Sequence, residues 1–283
     1  MRPSSASSTP CGSSAPWRSE VSWDALAAPG VVCVPSPAES ARFGVEVHRL
    51  TIGPGELRAG ELRALVEASA ADVLVVRYDV GRQEVPAVLA ATSRAVLPAG
   101  ALTYWETPVR AGRASGSTEV VPSGALDPAV AESVVRDVVR SSFAAYGNHY
   151  TADPLLDAAA ALAGYEEWAT QSLRQDPDDV LVQLLEGVPV GVATVEHADD
   201  HVEVLLAGLV PVAQGRGLYG DLLAAVEVRA AARGLGRLVI STQVQNVRVQ
   251  RAWARQGLRP FAAVETVHLV RREALRVGRA PAT

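Results

Sequence analysis

The apolar positions in the first part of the chain alternate between strand-like and helix-like spacing. Strand patterns cover residues 45–50, 73–78 and 95–106, and helical spacing covers residues 60–69 and 84–92. This order predicts a small α/β domain over residues 41–110.

The second part continues the alternation over a longer stretch. The predicted elements are, in order, a strand (119–122), two helices (128–146 and 153–173), three strands (180–186, 190–197 and 202–210), a helix (217–233), a strand (237–243), a helix (246–256) and a strand (261–270). Asp127 before Pro128 favours a helix start, because a capping carboxylate and a first-turn proline both suit that position. We therefore expect a second α/β domain with a mixed sheet over residues 118–272.

The remaining segments lack such periodicity. Residues 1–40 are rich in Ser, Pro and Gly, which predicts an irregular lead-in with a disordered extreme terminus. Residues 110–117 are polar and glycine-rich, as in a linker, and residues 273–283 are predicted to be a solvated tail.

Charge and composition narrow the classes of partner. The net charge of −5 argues against nucleic acid, because phosphate backbones attract basic surfaces. Cys11 and Cys33 have no metal-ligand spacing, so no metal is expected. No apolar run approaches the ~20 residues of a membrane span, and no signal peptide is recognisable. These features predict a soluble, cytoplasmic protein that binds neither membrane nor nucleic acid.

Chemistry is concentrated between a predicted strand and the helix that follows it, where the sequence reads Leu209-Val210-Pro211-Val212-Ala213-Gln214-Gly215-Arg216-Gly217-Leu218-Tyr219-Gly220. A helix N-terminus presents unpaired N–H groups, and glycines allow a phosphate to approach the main chain. The segment predicts a phosphate cradle, with an ordinary strand-to-helix turn as the alternative. It is not a nucleoside-triphosphate loop, because Gly-Lys-Ser/Thr is missing.

This loop and the order of elements resemble the GNAT superfamily of N-acetyltransferases. Gln214 and Gly217 match the Arg/Gln-x-x-Gly-x-Gly/Ala form of the family's acyl-CoA loop, whereas Tyr219 stands where a small residue is usual. Residues 246–258, which begin with Asn246 and contain Trp253, resemble the family's Asn-x-x-Ala-x-x-x-Tyr-x-x-x-Gly-Phe helix. The resemblance implies a GNAT fold in the C-terminal half, preceded by a smaller, degenerate α/β domain that resembles half a GNAT domain.

The resemblance also implies how acetyl-CoA, the expected co-substrate, would bind. The main chain at Leu209 and Val210 would pair with the pantetheine arm, and Asn246 and Trp253 would flank the thioester. The pyrophosphate would lie on the loop formed by Gln214, Gly215, Arg216, Gly217, Leu218, Tyr219 and Gly220. Residues 45–109 contain no such loop, so one acyl-CoA site is expected in the chain.

A narrower resemblance is to nucleotide-sugar N-acetyltransferases of the dTDP-fucosamine type. Trp23, Phe43 and Arg77 are similar to positions in the N-terminal half of those enzymes, and residues 143–150 resemble their substrate-side segment. This implies that Tyr146, His149 and Tyr150 line the acceptor pocket, where hydroxyls beside apolar ring faces suit a sugar.

Several residues are candidates for proton transfer. Glu203 lies on the strand before the loop, where the family often has a base, and His149 is a second candidate base. The family's general-acid tyrosine falls at Trp253, and an indole cannot serve as a general acid. Tyr219 is therefore the first candidate acid and Tyr150 the second, with solvent as the third route.

These features predict an N-acyltransferase that transfers an acetyl group to the amine of a small molecule, with an amino sugar or nucleotide-linked amino sugar as the first choice. Acetylation of another amine (an antibiotic, an amino acid or a protein N-terminus) is the alternative within the same fold. A non-catalytic acyl-CoA sensor is an alternative of a different class, suggested by Trp253 in the acid position. The acyl-chain length is left open, as is the oligomeric state, for which a homodimer is considered.

Overall fold

The structure is a computed structural model that describes residues 22–110 and 116–277. The ten strands are β1 (Val31–Pro35), β2 (Val47–Ile52), β3 (Val73–Asp79), β4 (Ala95–Pro108), β5 (Glu119–Pro122), β6 (Val180–Leu185), β7 (Val188–His197), β8 (His201–Leu209), β9 (Arg237–Gln243) and β10 (Arg259–Val270). The α-helices are α1 (Trp23–Ala27), α2 (Pro37–Phe43), α3 (Ala59–Ala68), α4 (Val85–Ala90), α5 (Pro128–Phe143), α6 (Ala158–Gln175), α7 (Tyr219–Ala232), α8 (Val247–Arg255) and α9 (Arg272–Val277). The predicted disorder at the extreme N-terminus, the centre of the predicted linker and the end of the predicted tail fall outside the described residues, as does Cys11.

All ten strands form one sheet in the order β1-β2-β3-β10-β4-β9-β8-β7-β6-β5. The sheet is mixed, because β2 pairs with β3 and β8 pairs with β9 in parallel, whereas the other neighbours are antiparallel. The last strand of the chain, β10, lies between β3 and β4, and β4 in turn lies between β10 and β9. Strands from the two halves of the sequence therefore alternate in the middle of the sheet.

Helices cover both faces of the sheet. On one face, α7 and α8 pack over β8 and β9 around Leu222, Leu238 and Trp253, while α3 and α4 cover β2 and β3 around Leu62 and Leu89. On the other face, α5 and α6 pack over β6, β7 and β8, and α2 lies beside β2. The face that carries α2, α5 and α6 matters most here, because a cavity remains between these helices and the central strands.

The mixed α/β fold predicted from the sequence is confirmed, and most element boundaries agree within two residues. The start of α6 differs by five residues, because residues 149–152 form a separate 3₁₀ turn and Asp157 supplies the N-cap, accepting from Ala160 N at 2.8 Å. The predicted irregular lead-in differs more, because it contains α1, β1 and α2. These elements span only five to seven residues each, too few for periodicity to show.

Candidate functional site

The central strands β8 and β9 separate part-way along their length. They pair in parallel only from His201–Arg237 to Val204–Ile240, although β8 continues to Leu209. On the other side of β8 the register with β7 shifts by one residue at Leu205, which forms a β-bulge. A bulge bends its strand and re-aims the side chains that follow it. The far half of β8 therefore diverges from β9 and leaves a gap in the sheet.

Main-chain groups of β8 face this gap. The N–H of Val210 donates to Val190 O at 2.9 Å on β7, so it is committed to the sheet. Because successive peptide groups along a strand point to opposite neighbours, the main chain of Leu209 is directed into the gap. Its carbonyl accepts from the Gln214 side chain at 2.9 Å. Of the two residues predicted to pair with pantetheine, Leu209 directs its main chain into the gap, whereas the N–H of Val210 is bonded to β7.

The loop between β8 and α7 presents a row of unpaired amides. Gly215 and Gly217 adopt φ of 78° and 83°, a region that side chains disfavour, and α7 begins at Tyr219. Within the described parts of the chain, the N–H groups of residues 215–219 have no protein acceptor. Free amides at the start of a 14-residue helix form an anion site.

Arg248 on α8 adds a positive charge beside this loop. Its Nη1 donates to Gln214 Oε1 at 3.2 Å, and a Cβ atom on Gly215 would lie 3.5 Å from its Nη2. The opposite side of the loop is tight, because a Cβ on Gly220 would come within 2.4 Å of the Gln256 side chain. A side chain at Gly220 would therefore displace the end of the Gln256 side chain.

The start of α8 forms another wall of the gap. Asn246 Nδ2 donates to Thr242 Oγ1 at 3.0 Å, which holds the amide at the end of β9. Trp253 is 1% exposed and lies edge-on to Trp105, with ring centroids 6.0 Å apart. Burial raises the pKa of Tyr219, which lines the same space, so its hydroxyl keeps its proton at neutral pH.

A cavity of about 680 Å³ extends from the glycine loop to the N-terminal half of the chain. This volume is in the range of small-molecule sites. Of the residues predicted to form the site, those that line the cavity are Tyr146, His149, Tyr150, Glu203, Leu209, Gln214, Gly215, Gly217, Tyr219, Gly220, Asn246 and Trp253. Val210, Arg216 and Leu218 flank it without lining it.

Glu203 is a buried carboxylate on the cavity wall. It is 4% exposed, and its Oε2 accepts from Trp23 N at 2.7 Å. Burial raises its pKa to about 8; the Trp23 N–H opposes this rise, whereas the negative charges of Glu196 and Asp24 add to it. A carboxylate with a pKa close to neutral can accept a proton and give it up again, as a general base must.

The end of the cavity away from the glycine loop is the predicted acceptor end, and it holds a group of charged side chains on α2, β2 and β3. Arg49 donates to both carboxylate oxygens of Glu39, at 2.9 and 2.8 Å, and the Tyr150 hydroxyl donates to the same carboxylate. Burial alone would raise the pKa of Glu39, but Arg49 and Tyr150 outweigh burial and lower the pKa to about 2. Arg77 lies beside this group on the neighbouring strand.

His149 ends a buried chain of hydrogen bonds. Asp153 Oδ2 lies 3.1 Å from His268 Nδ1, and His268 Nε2 lies 2.9 Å from His149 Nδ1. If each histidine donates towards Asp153, Nε2 of His149 is left as an acceptor. Burial lowers the pKa of His149 well below its usual value, and His268, Arg77 and Arg49 lower it further, so the ring is neutral.

Aromatic rings from α5 and α6 form the cavity wall opposite the sheet. The Tyr165 ring stacks on Phe143 with centroids 5.2 Å apart, and Tyr146 meets both rings edge-on. Arg42 on α2 donates to Glu167 on α6 at 2.7 Å, which links the two halves of the chain beside the cavity. The acceptor end is therefore built by both halves together.

Sequence reasoning proposed the loop and two candidate bases, Glu203 and His149, but it did not propose every wall of the cavity. It assigned no role to Arg248, Tyr104 or the pair of Glu39 and Arg49. One available signal was an arginine within the otherwise apolar strand of residues 73–78, because a charge in a buried strand requires an explanation.

Residues 22–110 and 116–277 show neither a metal-binding cluster nor a membrane-spanning helix. They contain no group of three or more His, Cys, Asp or Glu side chains that could hold a metal ion. None of their helices combines the length and apolar character needed to cross a membrane.

Comparison with known proteins identifies the fold. Residues 141–258 match the family model described as the acetyltransferase (GNAT) family. No curated protein sequence matches the chain. A GCN5-related N-acetyltransferase from Sphaerobacter thermophilus is similar in structure, with 15% identity, 85% of this chain and 76% of that chain covered, and a TM-score of 0.58.

Two other solved structures are similar. The GCN5-related glucosamine N-acetyltransferase region of a fungal multi-domain GH3 beta-N-acetylglucosaminidase has 9% identity and a TM-score of 0.56, with 84% of this chain and 31% of that chain covered. A GCN5-related N-acetyltransferase from Kribbella flavida has 13% identity and a TM-score of 0.51, with 79% and 81% covered. The divergence of β8 from β9 and the amide-lined loop agree with the family match. Residues 141–258 are a GNAT domain, and the protein is an acyl-CoA-dependent N-acyltransferase.

Proposed function

We propose that this protein transfers the acetyl group of acetyl-CoA to the primary amine of an amino sugar, with Glu203 as the general base. The observation that carries the proposal is the cavity that joins the amide-lined loop to Glu203 and to the aromatic wall. Acetyl-CoA bound along the gap between β8 and β9 would direct its thioester into this cavity.

The chemistry needs a neutral amine and a protonated leaving group. Glu203, directly or through one water, would take a proton from the amine, whose nitrogen attacks the thioester carbonyl carbon. The carbon–sulfur bond then breaks, and the Tyr219 hydroxyl gives its proton to the sulfur. The raised pKa of Glu203 suits a general base, and the raised pKa of Tyr219 ensures that its hydroxyl still carries the proton to be donated.

An amino sugar fits the walls of the acceptor end. The rings of Tyr146 and Tyr165 offer apolar faces, while the hydroxyls of Tyr104 and Ser241 and the ring of His149 offer polar partners. One face of a sugar ring stacks on aromatic side chains and its edges need hydrogen bonds. The fungal structure with a similar fold is a glucosamine N-acetyltransferase region; at 9% identity that likeness concerns the fold alone.

The choice of acceptor is tested by measuring CoA release with a panel of amines. We expect amino sugars to be turned over faster than amino acids, aminoglycoside antibiotics and peptide N-termini. His149→Ala should raise the KM for the amino sugar about tenfold, because the imidazole lies at the acceptor end, and should leave acetyl-CoA affinity unchanged. Preference for a different amine would refute the amino-sugar assignment, and an equal loss of acetyl-CoA affinity would make His149 a structural residue.

The assignment of the general acid gives a separate prediction. Tyr219→Phe should lower turnover about 10²-fold or more at saturating acetyl-CoA, since a positioned acid contributes about 10²- to 10⁴-fold. Trp253→Phe is the matched control, because it alters a neighbouring aromatic side chain whose indole N–H is too weak an acid to protonate the sulfur, and it should keep most activity. Tyr150→Phe tests the reserve candidate; its hydroxyl is already engaged with Glu39. Wild-type turnover in both tyrosine variants, with chemistry rate-limiting, would leave solvent as the proton source.

A further inference from the structure

Arg77 on β3 is a buried cation that the proposed reaction does not use. The residue is 8% exposed and lines the cavity. Its Nε atom has no hydrogen-bond partner, and in the part of the chain that the structure describes its guanidinium forms no hydrogen bond or ion pair. Burial lowers the pKa of Arg77, but the ordinary pKa of a guanidinium lies so far above neutral that the residue keeps its charge. A buried charge without a partner is unfavourable, so this one calls for a ligand.

The charged side chains around Arg77 do not neutralise it. The Glu39 carboxylate is engaged by Arg49 and by the Tyr150 hydroxyl. Glu203 accepts from the Trp23 main chain, and His149 is neutral. Arg49 and Glu39 cancel each other, which leaves the charge of Arg77 in excess at this end of the cavity.

Acetyl-CoA does not account for Arg77. The amide-lined loop follows β8, and β3 lies four strands away from β8 in the sheet, roughly 19 Å at ~4.8 Å between neighbouring strands. The diphosphate of acetyl-CoA on that loop would lie at the other end of the cavity. The ligand of Arg77 therefore belongs to the acceptor.

We infer that Arg77 binds an anionic group of the acceptor, a phosphate ester or a carboxylate, so that the substrate is an amine with an acidic group. This inference rests on the proposed function, which it narrows to an acidic or phosphorylated amino sugar. A guanidinium presents paired N–H donors that match the oxygens of either anion.

The sheet also fixes which end of the acceptor carries the anion. Tyr104 lies on β4, two strands from β3 and two strands from β8, and it is an electrostatic neighbour of both Arg77 and Glu203. The amine beside Glu203 and the anion beside Arg77 would therefore lie on opposite sides of Tyr104. The acidic group should be across the sugar ring from the amine.

Three acceptors that share one ring and one amine test the inference: glucosamine, glucosamine 6-phosphate, and the amino sugar with a carboxylate at the same carbon. The wild-type protein should use at least one of the two anionic acceptors at least ~10-fold better than glucosamine, mainly through KM. Comparison of the phosphorylated acceptor with the carboxylated one shows which of the two anions Arg77 prefers.

Arg77→Met should remove that preference, so that kcat/KM for the anionic acceptors falls towards the value for glucosamine, and it should leave acetyl-CoA affinity unchanged. Arg77→Lys, which keeps the charge but not the paired donors, should retain part of it. Arg94→Met is the matched control, because Arg94 is equally buried but donates to the carbonyls of Ala71 and Ser69 and does not line the cavity. An equal effect of Arg77→Met on all three acceptors, or no effect on any, would overturn the inference.

A binding measurement separates this inference from the proposed function. With CoA saturating the glycine loop, calorimetry can follow glucose 6-phosphate and glucuronate, which carry the anion but no amine. Binding of either anion that disappears in Arg77→Met supports the anion site even if no amino sugar is acetylated. Failure of both anions to bind, or binding unaffected by Arg77→Met, contradicts it whatever the acceptor proves to be.

Discussion

Replacement of Gly217 by glutamate is expected to abolish detectable binding of acetyl-CoA. Gly217 lies among the unpaired amides of residues 215–219, and no atom lies within 4 Å of the position that its Cβ would occupy. A carboxylate about 4 Å from a phosphate charge is repelled by roughly 4 kcal/mol at the effective dielectric of a protein surface, which lowers affinity about a thousandfold. Isothermal titration of the full chain with acetyl-CoA measures this directly.

The backbone at Gly217 requires a matched control. Any side chain at φ of 83° is strained, at a cost of about 1–3 kcal/mol. Gly217→Gln has nearly the same size and the same strain without the charge, and should lose much less affinity than Gly217→Glu. Gly234→Glu adds the same charge at φ of 74° beyond the other end of α7, and should bind acetyl-CoA as the wild type does. Unchanged affinity in Gly217→Glu would refute the assignment of the loop.

Replacement of Glu203 by glutamine is expected to have the second large effect. If Glu203 takes the amine proton, kcat should fall about 10²- to 10⁴-fold while the affinity for acetyl-CoA stays constant. In the wild type, kcat/KM for the acceptor should rise with pH to a plateau above about pH 8, because the ionised carboxylate is the active form. That inflection should be absent in Glu203→Gln, measured with the same acceptor.

Glu196 provides a control for the pH dependence. It pairs with Glu203 across the strands, and its negative charge helps to raise the pKa of Glu203. Glu196→Gln should keep most activity but move the inflection to lower pH. If Glu203→Gln keeps wild-type kcat and an unchanged pH profile, Glu203 is not the base.

The stability of Glu203→Gln gives an independent readout. The folded-state pKa of about 8 lies above the ordinary 4.5, so the folded protein binds more protons than the unfolded chain between these values. The cost of ionising Glu203 is absent below about pH 4.5 and complete above about pH 8. At pH 9 the variant should therefore have a free energy of unfolding higher than the wild type by on the order of 5 kcal/mol, with no gain at pH 4.

Much of the fold could be predicted from the sequence, because the spacing of apolar residues distinguishes long helices from long strands. The bounds of β9 agree with prediction, and β4 and β10 each differ by two residues at one end. The elements α1, β1 and α2 were missed because they are short, and α1 is positioned by a long-range contact between Trp23 N and Glu203. Nor does local spacing indicate that β10 lies between β3 and β4, since that depends on pairing between distant segments.

The residues of the candidate site also include some that local sequence could indicate and others that depend on contacts between distant segments. The amide-lined loop is a local feature, so the resemblance of Gln214, Gly215 and Gly217 to the family's loop was visible in the sequence. The environment of Glu203 could not, since its burial depends on a helix 180 residues earlier in the chain. The pairing of His149 with His268, across 119 residues, is also a product of the fold. Local patterns therefore predict where acetyl-CoA binds, whereas the shape and charge of the predicted acceptor end depend on tertiary contacts.

A crystal structure with bound acetyl-CoA would show directly whether the amide-lined loop and the gap hold the co-substrate. We expect the diphosphate on the amides of residues 215–219, the pantetheine arm in the gap between β8 and β9, and the thioester in the cavity on the same side as Glu203. Acetyl-CoA bound away from the loop, or a thioester that does not enter the cavity, would contradict this expectation.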